Sequence, residues 1–296
     1  MTRLFAAIET GGTKIVCRVT GADGRQVGET RLPTTTPQAA FAELTEAIAG
    51  MIGDRPLAAI GIASFGPIRI DPAAPDYGAM LATSKPGWSG FNLVAALKPH
   101  FDVPIAIDTD VGAAALAEQA MGAGQGARAV AYVTIGTGIG GGLAQDGVTL
   151  KGALHPEIGH LPVRRVPGDD IASRCPFHAS CAEGLAAGPA VGARLAPGER
   201  LADRPDVAAL VTDYLGQLCA SLVMAWSPDR IVLGGGVMTG SGLAPAIAGH
   251  MLAEIGDYGV ADAVRRPGFL VPAALEHAGL EGALILARQA DGRVTT

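Results

Sequence analysis

The sequence predicts an α/β chain made of two similar blocks, each a mixed sheet layered with helices. Three observations lead there. Apolar runs of strand length alternate along the whole chain with segments whose apolar residues recur at helical spacing. Each block opens with strands joined through a turn rich in Gly and Thr. No long linker separates the blocks, so they are expected to pack closely around a cleft.

The elements follow in order. Residues 4–9 are apolar, 14–20 alternate, and 25–32 form a third run; Thr10-Gly11-Gly12-Thr13 and Gly21-Ala22-Asp23-Gly24 are the turns between them. Pro37 opens a helix to about residue 52, with Phe41, Leu44 and Ile48 on one face. Strands are expected at 57–64 and 103–108, and a helix after Asp110 that ends in glycines. The second block repeats the theme. Residues 129–135 read as a strand, followed by Gly136-Thr137-Gly138 and a Gly-rich continuation. A long amphipathic helix over 207–226 lines up Val207, Leu210, Val211, Tyr214, Leu218 and Leu222. A short strand at 231–233 and Gly234-Gly235-Gly236 precede a further helix.

Composition narrows the function classes. About half of the 296 residues are apolar, enough for a sizeable core. With 22 Lys and Arg against 28 Asp and Glu the net charge is −6, and the basic residues form no run. That argues against nucleic acid or an anionic membrane surface as partner. The start, MTRLFAAIETGGTK, lacks a signal-peptide pattern, and no stretch offers about 20 uninterrupted apolar residues. A cytoplasmic protein is the expectation.

Two turns share one chemical logic. Gly11-Gly12-Thr13 and Gly136-Thr137-Gly138 each follow an apolar strand. Glycine lets backbone N–H groups close on an anion, and threonine adds a donor. One such turn is an ordinary hairpin; two, one per block, read as facing phosphate clamps. There is no G-x-x-x-x-G-K-[ST] loop and no dinucleotide fingerprint, so an ATP site here is of neither type. Asp108 and Asp110 flank Thr109 at a strand end. One is expected to serve as a cap or structural group, the other as a general base toward a hydroxyl.

Cys175, His178 and Cys181, with His160 upstream in His155-Pro156-Glu157-Ile158-Gly159-His160, make a four-ligand set with zinc chemistry. A structural zinc would staple an irregular loop and hold Glu157 and Glu183 near hydroxyls. Cys17 and Cys219 sit in apolar runs and read as small buried hydrophobes. Lys85-Pro86-Gly87-Trp88 reads as a surface loop with a packed Trp, and the arginine pairs 164–165 and 265–266 as solvated faces.

Taken together, these motifs resemble the ROK family of sugar kinases and repressors, and within it the bacterial fructokinases. The likeness runs over essentially the whole chain. It is carried by E-T-G-G-T-K at 9–14, A-S-F-G-P-I at 63–68, K-P-G-W at 85–88 and D-T-D-V at 108–111. It continues in T-I-G-T-G-I-G-G-G at 134–142, H-P-E-I-G-H at 155–160, C-P-F-H-A-S-C-A-E-G at 175–184, L-G-G-G-V at 233–237 and G-L-E-G-A at 279–283.

The resemblance implies an actin-like (ribonuclease H-like) two-domain kinase fold with ATP and sugar in the interdomain cleft. The small N-terminal domain is expected at 1–112 with a C-terminal helix at about 283–296, the large domain with the zinc loop at 113–282. By the same likeness Asp110 is the catalytic base. Gly11, Gly12, Thr13 and Lys14 form the first phosphate loop, and Gly136, Thr137 and Gly138 the second. Gly234, Gly235 and Gly282 face the nucleotide. Glu157, His160 and Glu183, with Asp110, line the sugar site, and His160, Cys175, His178 and Cys181 bind zinc. ATP with Mg²⁺ and a hexose, fructose first, are the implied ligands, and a homodimer the implied assembly. The chain departs from the fructokinase pattern at Gly112, where Asn is usual, and at Ser84, where Pro is usual. Kinases for glucose, mannose or another hexose, and an inactive sugar-binding protein, are the alternatives. A repressor is disfavoured, because the first phosphate loop begins at residue 9 and leaves no room for a preceding helix-turn-helix.

Overall fold

A computed structural model describes residues 3–292. The chain divides into two compact units: one holds the residues up to Ala117, Thr149–His155 and those from Glu276 onward, the other Glu118–Val148 and Pro156–Leu275.

In the first unit, β1 (Leu4–Thr10), β2 (Lys14–Gly21), β3 (Gln26–Pro33), β4 (Leu57–Ser64) and β5 (Ile105–Thr109) form one sheet in the order β3-β2-β1-β4-β5. The first three are an antiparallel meander; β4 and β5 join parallel to β1. Strands β1 and β4 are apolar at nearly every position and buried almost throughout, as central strands covered on both faces must be. The helix α1 (Pro37–Ile52) starts with Pro at its first turn and buries Phe41, Leu44 and Ile48. The short α2 (Leu93–Leu97) is capped by Asn92, whose side chain accepts from Ala95 N. The helix α3 (Asp110–Met121) follows β5 directly.

The second sheet is built of β6 (Ala129–Ile135), β7 (Ile139–Gln145), β8 (Val148–Thr149), β9 (Arg230–Gly234) and β10 (Leu270–Pro272) in the order β10-β9-β6-β7-β8, and all of it but Thr149 belongs to the second unit. Here too a hairpin (β6–β7) leads and the later strands add parallel to its first member. The two sheets therefore share one topology, as the actin-like expectation requires. The small helices α4 (Ala182–Ala186) and α5 (Gly188–Gly192) follow the cysteine loop. The helix α6 (Pro205–Trp226) packs along α7 (Ala244–Ile255), and α8 (Ala261–Val264) precedes β10. Its predicted face is buried at Val207, Val211, Tyr214, Leu218 and Leu222 and half-buried at Leu210. Among the described residues α6 alone is long and apolar enough to cross a membrane by length and composition, although Asp213 and Gln217 interrupt its apolar run and most of it is buried.

The C-terminal helix α9 (Ala278–Ala290) belongs to the first unit and lies on β1, β4 and β5. It begins five residues before the expected start at 283; residues 293–296 of that expectation lie outside the described residues. The boundaries at 112 and 282 move for a packing reason. A Cβ on Gly282 would stand 1.9 Å from Ala113 O, and one on Gly61 1.8 Å from Ala283 O. The first turns of α3 and α9 thus lie backbone to backbone in one unit. Residues 149–155 return to that unit as well, a crossing with no signal in the sequence.

Candidate active site and metal site

In the first unit, β5 ends at Thr109 and α3 starts at Asp110. The Thr109 hydroxyl accepts from Gly112 N at 3.0 Å, so Thr109 caps the helix rather than either aspartate. The two carboxylates differ in surroundings because the chain changes from strand to helix between them. Asp108 is 1% exposed: Oδ1 accepts from Thr109 N at 2.7 Å, Oδ2 from the Thr149 hydroxyl at 2.5 Å, and Lys151 Nζ stands 3.8 Å away. It ties β5 to the returning segment. Asp110 is half-buried at the head of α3, with Oδ1 accepting from Val111 N at 2.9 Å, a place where the helix dipole favours a negative group.

The first Gly/Thr turn lies between β1 and β2 with Gly12, Thr13 and Lys14 exposed. Its carbonyls are all hydrogen-bonded: Gly11 O by the Thr34 hydroxyl at 2.7 Å, Gly12 O by Lys85 Nζ at 2.6 Å, Thr13 O by Thr34 N at 3.0 Å. At the end of β1, burial pushes the Glu9 carboxyl up, and the charges of Lys14 and His277 pull it partly back.

In the second unit, the other turn is closed by Gly136 N donating to Gly138 O at 2.9 Å, and Gly136 O accepts from Gly188 N at 2.7 Å. Thr137 is exposed at its tip. Glu183 meets this turn: its Oε2 accepts from Ile139 N at 3.0 Å and lies 2.6 Å from where a Gly138 Cβ would be. This oxygen is therefore engaged by the turn's backbone. Gly234, at the end of β9, packs under Tyr132, whose hydroxyl is 2.3 Å from a Cβ built there. Gly235 takes φ +89°, which the chain needs to turn off the strand. Gly282 is buried where α9 crosses α3, with no room for a Cβ beside Ala113.

Four ligand atoms of His160, Cys175, His178 and Cys181 lie within 4.8 Å of one another. Cys175 Sγ is 3.4 Å from His178 Nδ1 and 3.7 Å from His160 Nδ1; Cys181 Sγ is 3.9 Å from His160 Nδ1. Tetrahedral zinc with ordinary bond lengths needs sulfur–nitrogen separations of about 3.6 Å, so the donor set fits. Burial pushes the Cys181 thiol up, and Cys175 and Glu183 push it further, which is the electrostatic setting a dication reverses. The turn at 158–160 sets His160, while Cys181 caps α4 and accepts from Gly184 N at 3.3 Å. Glu157 precedes that turn and is exposed.

A buried ion pair holds the same loop from the other side. Arg194 makes two bonds to Asp169, 3.1 Å to Oδ1 and 2.6 Å to Oδ2, and the Tyr214 hydroxyl donates to Oδ2 at 2.6 Å. Burial raises the Asp169 carboxyl, but these hydrogen bonds and the Arg194 charge outweigh it and hold it below the usual carboxylate range. Sequence reasoning missed this set, and also the contacts of Thr34, Lys85 and Thr149. The residues of each lie far apart in the chain, apart from a basic side chain at Lys85 beside a Trp.

The ROK family model matches residues 5–290. The fructokinase of Pediococcus pentosaceus is 41% identical over 290 residues, covering 97% of this chain and 98% of that protein. The solved structure of a ROK hexokinase from Thermus thermophilus superposes with a TM-score of 0.75 at 28% identity, covering 97% and 98% of the two chains. A ROK family glucokinase from Streptomyces griseus, in complex with glucose and AMPPNP, gives a TM-score of 0.74 at 25% identity over 97% and 99%. With the duplicated sheet order, both Gly/Thr turns and the Cys/His loop all in place, the chain belongs to the ROK family.

Proposed function

We propose that the chain is an ATP- and Mg²⁺-dependent hexose kinase that converts fructose to fructose 6-phosphate. The observation that carries it is Asp110, a carboxylate at the head of a helix beside a buried twin, in a chain with two anion-ready turns. Its likeness to the Pediococcus fructokinase supports fructose over the glucose of the Streptomyces glucokinase. In the reaction Asp110 accepts the proton of the sugar hydroxyl. That oxygen bonds to the γ-phosphorus, and the bond to the bridging oxygen breaks with its electron pair leaving on ADP. Phosphoryl transfer asks the protein for position and charge rather than covalent help. The N–H groups of the two turns supply donors to the phosphates, and Mg²⁺ neutralises their charge when bound with ATP. Glu157, His160 and Glu183 are proposed to meet sugar hydroxyls, and Gly234, Gly235 and Gly282 the nucleotide.

The Cys/His cluster is proposed to hold a structural zinc through His160 Nδ1, Cys175 Sγ, His178 Nδ1 and Cys181 Sγ. Bound there, the ion fixes the loop. A homodimer in the cytoplasm, with no nucleic acid or membrane partner, completes the reading.

The test is ADP production from Mg·ATP in a coupled assay with fructose, mannose, glucose, allose and N-acetylmannosamine. A preference for fructose of at least about tenfold in kcat/KM is expected. Equal or better turnover of another hexose overturns the choice of sugar, and no turnover on any of them overturns the kinase.

A further inference from the structure

The turn between β1 and β2 owes its shape to side chains that come from elsewhere in the first unit. In a trans peptide the C=O and the following N–H point in opposite directions. Drawing the Gly11 and Gly12 carbonyls back to Thr34 and Lys85 therefore aims the Gly12 and Thr13 N–H groups the other way, outward from an exposed turn. The Gly12 carbonyl is the one that depends on a charged partner. Were it released, the Gly12–Thr13 peptide could rotate about ψ of Gly12, a permissive glycine torsion, and φ of Thr13, and present an oxygen where an anion needs a donor.

Lys85 is held in place for this task. Trp88 N donates to Lys85 O at 3.2 Å, closing a four-residue turn in which Gly87 takes φ +81°. Trp88 itself is 0% exposed, packs edge-on against Phe65 and Phe91 with ring centroids 5.3 and 5.9 Å apart, and donates Nε1 to Thr35 O at 3.0 Å. Thr35 adjoins Thr34, which holds the neighbouring carbonyls of the same phosphate turn. One buried indole thus sets the lysine and the threonine that clamp the turn. An ammonium has three donors, and Gly12 O uses one.

We propose that Lys85 is a positioning residue for the nucleotide phosphates: its ammonium fixes the Gly12–Thr13 peptide in its donor-outward orientation and brings a positive charge to that turn. The inference rests on the kinase reading, since it takes the anion to be the phosphate of Mg·ATP. Losing a charge-assisted bond of this kind corresponds to roughly 10- to 100-fold in binding.

The experiment compares Lys85→Met and Lys85→Arg with the wild-type chain. It uses AMPPNP titration by calorimetry, steady-state kinetics varied separately in Mg·ATP and fructose, and thermal unfolding. Lys85→Met is expected to weaken AMPPNP and raise the KM for ATP by about tenfold or more, with the KM for fructose within about twofold and the unfolding temperature unchanged. Lys85→Arg, which keeps the charge and the donors, is expected to recover most of that loss. Three results overturn the proposal: unaltered nucleotide binding in Lys85→Met; equal loss toward both substrates together with a lowered unfolding temperature; or an arginine variant as weak as the methionine one. A wild-type chain that turns over no sugar overturns the kinase reading and this inference with it, whereas an active wild type with an unaltered Lys85→Met overturns this inference alone.

Discussion

Gly112, two residues into α3 beyond the proposed base, lies where fructokinase-like sequences carry Asn, and the structure sets the effect of restoring a side chain there. A Cβ on Gly112 would lie 2.4 Å from Asp108 Oδ1, 2.9 Å from Thr109 Oγ1 and 3.1 Å from Asp108 Cγ. The Asp108 carboxylate cannot step aside freely, since its oxygens are bonded to Thr109 N and the Thr149 hydroxyl and it is 1% exposed. Moving it by about 1 Å breaks or stretches bonds to an ionised acceptor that contribute roughly 1.5–3 kcal/mol each. The gain from replacing Gly inside a helix is about 1 kcal/mol. The loss wins, and Gly112→Ala should lower stability by about 1–4 kcal/mol, with Gly112→Asn at least as harmful. Gly249 is the control: it also lies inside a helix, α7, and a Cβ there meets nothing within 4 Å. Gly249→Ala should therefore stabilise by roughly 0.5–1 kcal/mol. Urea unfolding followed by circular dichroism gives both values. If Gly112→Ala proves as stable as the wild type while Gly249→Ala behaves as stated, the claim that Asp108 fills that space is refuted.

Three further outcomes are expected. Asp110→Asn should reduce kcat by about 10²- to 10⁴-fold with the fold intact by circular dichroism; near-normal turnover would remove Asp110 from the mechanism. The ordinary carboxylate value is about 4, and in Asp169 the folded value lies below the unfolded one. Its ion pair therefore adds stability above that pH, an increment lost as the pH falls through the lower folded value. Asp169→Asn should lower stability by roughly 3–5 kcal/mol at pH 7 and flatten the acid limb of a pH–stability curve, and an unchanged limb would contradict the pairing. One zinc per chain is expected by elemental analysis, and its removal by chelator should lower the urea midpoint and raise the KM for ATP. The second effect follows because Cys181 starts the short helix that carries Glu183 onto the Ile139 N–H; a metal-free, chelator-insensitive chain would exclude this site.

Local signals explain what was legible. The Gly/Thr turns, the strands around them and the helix that Pro37 opens all depend on neighbours in the chain, and they occur within a residue or two of expectation. The cysteine loop was legible because its ligands are close together and chemically distinctive, and the four atoms do converge. Residue type and spacing paired Asp108 and Asp110 without sorting them; only the family likeness singled out Asp110. Their roles depend on Thr149 and Lys151, some forty residues away, and on a strand that ends between them. The close packing at Gly282 was hidden for a related reason, since a glycine needed for a close helix crossing and a glycine near a ligand look alike in one sequence.

By itself, then, the sequence determined the α/β class, the doubled plan of strands about a Gly/Thr turn, the metal-type cluster and the family likeness. These rest on periodicity, turn chemistry and residue type, all of which act over a few positions. Only the tertiary structure decided which aspartate is buried, that Glu183 binds a turn, that 149–155 belong to the first unit, and that Lys85 reaches Gly12. Each of those is a contact between residues remote in the chain, set by how sheets and helices pack rather than by any local preference.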